Sequence, residues 1–211
     1  MRPIIKDMDL ATVDVNSVFE DQQLGAAGSF SLDGADVTNG EWISPDGFAH
    51  QLSFESAGNI EAATFTITGF ADTLKNHAIT EDVTAPNATT VESTKYFAVI
   101  TSIASDEAVA SDCECGFVDE AVTDPISLDI KNKTFEVGFF CEVTGTINYK
   151  MQHSYDNPQL GGEAMTWIDD PDVANETASQ EDSYTTPIRA SRAVVNSYST
   201  GAELKITWLQ G

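Results

Sequence analysis

The stretch FEVGFFCEVTGTINYKMQHSY, Phe135 to Tyr155, decides how the rest of the chain is read. Its odd positions run Phe135, Val137, Phe139, Cys141, Val143, Gly145, Ile147, Tyr149, Met151, His153 and Tyr155. Its even positions are mostly Glu, Thr, Asn, Lys, Gln and Ser. A period of two puts one set of side chains on each face of a β-strand. The stretch is too long for one strand, which rarely exceeds about ten residues. Gly145, between two threonines, is the expected bend or bulge that passes the chain from one sheet to another.

The same stretch leads into the densest polar chemistry of the chain, NYKMQHSYDNP (Asn148–Pro158). His153 falls in phase with Tyr149 and Met151, on the apolar face. A general base needs an oriented partner and a nucleophile within reach, and the sequence places neither beside it. His153 therefore reads as a packed residue at a strand end.

Working outward, period two recurs. Leu204, Ile206 and Trp208 alternate with Glu203, Lys205 and Thr207, and the turn SYSTGA joins them to Val194 and Val195 in a closing hairpin. Upstream, AHQLSFES (Ala49–Ser56), ATFTITGF (Ala63–Phe70), HAITEDVTAP and TKYFAVITSIAS read as four more strands, separated by Gly, Pro, Asn and Asp turns. One short helix is expected over Asn16–Gly25, with Asn16 as N-cap and Gly25 past its end. The fold class is all-β: two consecutive antiparallel β-sandwich or jelly-roll-like domains with little helix. The expected divisions are an N-terminal arm with the first strands over 1–40, which packs on a neighbour, a first domain over 41–122 and a second over 123–211. The strand pattern lapses at DEAVTDP (Asp119–Pro125) between the two domains.

The charge is one-sided, with 34 acidic residues against 10 basic and a net charge of −24. Such a surface repels phosphate backbones and anionic lipid, so neither nucleic acid nor membrane is an expected partner. No apolar run approaches the roughly 20 residues that cross a bilayer. The three cysteines, Cys113, Cys115 and Cys141, lack the paired spacing of a zinc site and read as reduced structural thiols. DDPD (Asp169–Asp172) clusters the oxygens that Ca²⁺ favours, but no bidentate Glu at a fixed offset completes a loop motif. It reads as a solvated acidic turn, and no metal or other cofactor is expected. No phosphate loop, nucleophile elbow or zinc-protease helix occurs, so no catalytic residue is assigned and no enzyme is expected.

Two segments resemble one family. SAGNIEAATFTITGFADTLKNHAITEDVTAPNATTVESTKYFAVITSIAS resembles the first β domain of a family of tailed-bacteriophage virion proteins. VTGTINYKMQHSYDNP, followed by TWIDDPD and YTTPIRASRAVVNS, is similar to the second domain, so the likeness runs in order over roughly residues 50 to 211. CECGF departs from the small Gly-rich strand of that pattern. The resemblance implies a non-enzymatic virion component assembled in the host cytoplasm: a capsid decoration or cement protein on the major capsid lattice, or a head–tail junction or tail component. Other virion proteins and further copies of the chain are the implied partners. A reading of another class is a glycan- or receptor-binding sandwich that stacks sugars on Trp42, Trp167 or Trp208. The long polar excursion after Pro158 has one apolar patch, and Met165, Trp167, Ile168, Asp169 and Asp170 are the candidate interface, with Trp167 as anchor or as core cover.

Overall fold

The computed structural model describes residues 3–131 and 135–211. It is all-β and sandwich-like, and its only helical turns among those residues are the short 3-10 segments Pro158–Leu160 and Gly162–Ala164. The chain divides into two compact units, Val13–Val118 and a second that joins the residues up to Thr12 with Asp119–Gly211.

The second unit is built around the Phe135–Tyr155 pattern. Strand Val137–Thr144 lies in a four-stranded antiparallel sheet in the order Ile4–Asp9, Glu203–Gln210, Val137–Thr144, Gln180–Tyr184. Strand Ile147–Ser154 lies in the other layer, between Ile168–Asp169 and Ala190–Tyr198. Gly145 makes the crossing at φ +81°, a left-handed conformation that glycine adopts without steric cost. The chain therefore changes sheets where the sequence places its bend. Val137, Phe139, Cys141, Ile147, Tyr149 and Met151 are buried in one phase, against Leu204, Ile206 and Trp208. The indole N–H of Trp208 donates across the layers to Ser191 Oγ at 3.3 Å. Phase weakens at the ends: Val143 is half-buried and Tyr155 is 51% exposed.

The N-terminal segment expected as one arm is divided. Ile4–Asp9 pairs with the closing strand from Ile4↔Trp208 to Asp9↔Glu203 and completes the second unit, so the two units are not consecutive in sequence. Residues from Val13 onward belong to the first unit. The helix expected over Asn16–Gly25 is absent; Phe19–Leu24 is a strand. It pairs with Val109–Val122 through Phe19↔Cys115 and Gln22↔Cys113. FEDQQL has no 3.6-residue apolar stripe, so sheet pairing and burial of Phe19 decide over local propensity.

In the first unit Ala49–Ser56, Thr64–Phe70, Ala78–Thr84 and Val99–Ser105 are strands, as their alternation predicts. Thr64–Phe70 sits between Val99–Ser105 and Ala78–Thr84. Phe19 stacks on Phe30 at 4.4 Å between centroids, and Phe65 meets Phe30 edge-on at 5.2 Å and Phe54 at 5.3 Å. The strand Val109–Val122 is not foreseen from the sequence. Its odd positions Val109, Cys113, Cys115 and Phe117 are all buried, while acids occupy intervening places. Gly116 is required there, because a Cβ would lie 1.9 Å from Asp14 O.

Candidate functional site

The expected interface segment is divided between interior and surface. Met165 and Asp170 are buried, Trp167 is half-buried, and only Ile168 and Asp169 are exposed. The Trp167 indole N–H donates to Gly162 O at 2.7 Å, and the guanidinium of buried Arg192 lies 4.2 Å from the ring centroid. Arg192 donates to Gln152 at 2.7 Å, and Gln152 donates to Asp169 at 2.7 Å. The indole thus roofs a buried cation, a stacking that strengthens as water is removed. Asp169 also pairs with Lys150 at 3.2 Å. Burial works against its ionisation, yet the bonds from Gln152 and Lys150 prevail and hold its carboxyl below the usual range. Trp167 packs over Arg192 while part of its ring stays accessible.

The excursion is also tied down. Past Asp169 the backbone follows the edge of Ile147–Ser154, with Asp170 N donating to Met151 O, Met151 N to Val173 O, and Tyr149 and Glu176 exchanging a pair. These bonds occupy backbone groups that an edge strand otherwise leaves open.

Exposed apolar side chains gather instead on the outer face of the four-stranded sheet. The register sets Ile5, Thr207, Phe140 and Glu181 in one row across it, with Leu209 beside Gly138 in the next. Phe140 is 44% exposed, Leu209 47% and Ile5 53%. Gly138 lies open between them, and the surface dips into a shallow groove lined by Phe140, Leu209, Thr207 and Glu181. Sequence reading passed over Phe140 because it is an even-position aromatic in a polar phase. That break in the alternation was the available signal.

Polar centres elsewhere are closed. Fully buried His50 faces both Asp46 carboxylate oxygens, at 3.0 and 3.1 Å, and Val118 O at 3.4 Å. Ser44 Oγ donates to Asp46 at 2.9 Å. The carboxylate is the hub here, so Ser44 is not poised against an imidazole as an activated hydroxyl. Cys113, Cys115 and Cys141 are free and buried. Burial, assisted by Glu114 and Asp21, pushes the Cys113 thiol up to about 12, and burial raises Cys141 to about 12 as well. Such thiols are poor nucleophiles and poor metal ligands.

His153 lies half-buried against Tyr155 and Tyr184, at ring distances of 5.9 and 5.3 Å. Burial lowers its pKa, which the Asp170 charge only partly offsets. The ring is neutral at neutral pH. Of the residues in DDPD, Asp170 and Asp172 come together with Asp182 from the strand Gln180–Tyr184. Trp42 and Trp208 are fully buried, so neither offers a sugar-stacking face. No described helix is long and apolar enough to cross a membrane.

No family model matches the chain, and no curated protein matches it.

Proposed function

We propose that this protein is a non-enzymatic structural component of a tailed-phage virion, and specifically a decoration protein seated on the major capsid lattice. The observation that carries this reading is the gathering of Ile5, Phe140 and Leu209 on one sheet face of an otherwise strongly acidic molecule. Contiguous exposed apolar surface on a charged protein marks a place for a partner. Asp7, Glu142 and Glu181 flank the patch on the same face against one Lys205, which pairs with Glu142, so a partner with an apolar centre and a mainly basic edge fits it. A second copy of this chain presents the same acids and is disfavoured on this face. Many copies that each bury a modest patch are held by the avidity of the lattice. The resemblance over residues 50 to 211 supplies the virion as the setting.

Copy number in purified particles tests this reading. A decoration protein is present at hundreds of copies per particle. A count of about a dozen assigns the chain to a ring at the head–tail junction or tail, where closed symmetry limits the number. Absence from purified particles overturns the virion reading altogether.

A further inference from the structure

Resting on the reading of the outer sheet face as the capsid contact, we propose that the groove over Gly138 takes an arginine side chain, which the capsid partner presents between apolar residues. Gly138 belongs to the strand Val137–Thr144, with Leu209 directly opposite on one side and Ser183 on the other. Phe140 lies two residues along on the same face, with Thr207 and Glu181 as its neighbours across the sheet. Phe140, Leu209, Thr207, Ser183 and Glu181 line the groove.

Nothing inside the protein requires glycine at position 138. Its backbone is extended rather than left-handed, and a Cβ built on it meets no atom within 4 Å. Glycines in two other strands differ. At Gly69 a Cβ would lie 2.1 Å from Val99 O, and at Gly116 1.9 Å from Asp14 O, so close packing imposes glycine at both. A glycine inside a strand forgoes side-chain packing and weakens the strand, and it often marks a place where another group approaches closely. The neighbouring side chains do not close over the gap. Gly138 is half-buried, while Phe140 is 44% and Leu209 47% exposed. The missing side chain is what makes the groove.

The walls select a flat cation on an apolar stem. Phe140 and Leu209 flank the methylenes of a long side chain, as apolar surface does wherever such a stem is covered and its charged head is left in water. The face of an aromatic ring attracts a cation, most often a guanidinium. Glu181, directly across from Phe140, is placed to accept the guanidinium N–H groups, and no Lys, Arg or His among the described residues pairs with it. A planar guanidinium stacks on a ring while its fork bonds a carboxylate, a combination that the compact ammonium of lysine does not match. Asp7 and Glu142, further along the same face, disfavour an acidic occupant. A neutral aliphatic side chain fills the gap but leaves Glu181 without a partner.

Gly138→Val closes the groove at an open, extended position and puts a β-branched residue into the strand. It should melt at or above the temperature of the parent, yet occupy purified particles about tenfold less. Full occupancy by a folded Gly138→Val protein, with Phe140→Asp depleted, overturns the groove and leaves the contact face standing. Full occupancy by both variants overturns the face and the groove together. NMR titration of the full-length protein with acetyl-Leu-Arg-Leu-amide and acetyl-Leu-Lys-Leu-amide tests the occupant itself. At equal millimolar concentration the arginine peptide should shift the amide signals of Gly138, Phe140 and Leu209 about threefold more than the lysine peptide. Gly138→Val and Glu181→Gln should each reduce those shifts. A Gly138→Val protein that does not fold returns the decision to Glu181→Gln, an exposed change that leaves the backbone and the core as they are. Equal shifts from the two peptides identify a general attraction of cations to an acidic surface and overturn the assignment to arginine. Unmoved signals at these residues overturn it as well.

Discussion

The segments Phe135–Tyr155 and Met165–Asp170 differ in how their apolar residues divide between interior and solvent. The first reads as core, yet it also supplies Phe140, the aromatic at the centre of the outer sheet face. The second reads as a candidate interface with Trp167 as anchor or core cover; there Met165 and Asp170 are buried, Trp167 roofs Arg192, and Ile168 and Asp169 are exposed. A strand has two faces by construction, so one apolar residue out of phase is delivered to solvent whatever its chemistry. A loop has no such constraint, and an apolar residue in it can turn back to the interior.

Adjacent substitutions in Val137–Thr144 press hardest on this contrast. Phe139→Asp puts a lone carboxylate among Tyr184 and Trp208 and should consume most of a stability of about 5–15 kcal/mol, leaving no cooperative melting transition. A soluble, cooperatively melting Phe139→Asp protein breaks the assignment of faces. Met165→Ala should cost about 2–3 kcal/mol in denaturant unfolding if the loop residue is core. An unchanged midpoint returns Met165 to the surface.

Smaller effects sharpen the edges of the comparison. Val143→Asp should cost only about 1 kcal/mol, because the strand end leaves Val143 half-exposed although it shares the phase of Cys141. His153→Gln should change unfolding free energy by less than about 1 kcal/mol, since Nδ1 has no bond to lose. The Lys150–Asp169 pair gives the smallest effect. Asp169 is held low in the folded state, so its stabilising contribution is present above the ordinary carboxylate pKa and lost as pH falls through the lower folded value. Lys150→Met should flatten that acid limb slightly in melting temperature against pH. An identical limb removes the pair from the account.

The all-β class, the inward phase of Phe135–Met151 and the sheet change at Gly145 were legible because each rests on period two within one segment. The expected closing hairpin does not form: Ala190–Tyr198 and Glu203–Gln210 are both strands, but the turn between them passes the chain from one sheet to the other, and their pairing partners lie elsewhere in the chain. What the sequence hid depends on partners distant in the chain. Ile4–Asp9 finds its place only through Glu203–Gln210, and Phe19–Leu24 becomes a strand only beside Val109–Val122. Val109–Val122 itself was masked by the acids and cysteines in SDCECGF, although its buried positions alternate. The DDPD turn was recognisable as a source of oxygens, but Asp182, eleven residues past Pro171, joins it only in three dimensions.

The outer sheet face carries the functional proposal, and Phe140→Asp tests it most directly. The variant should melt within about 0.5 kcal/mol of the parent, because the ring packs outside the core. Particles assembled with it should then be measured for occupancy by quantitative densitometry against the capsid protein. The account predicts a folded variant that is depleted from the particle. Full occupancy by a folded Phe140→Asp protein would contradict it.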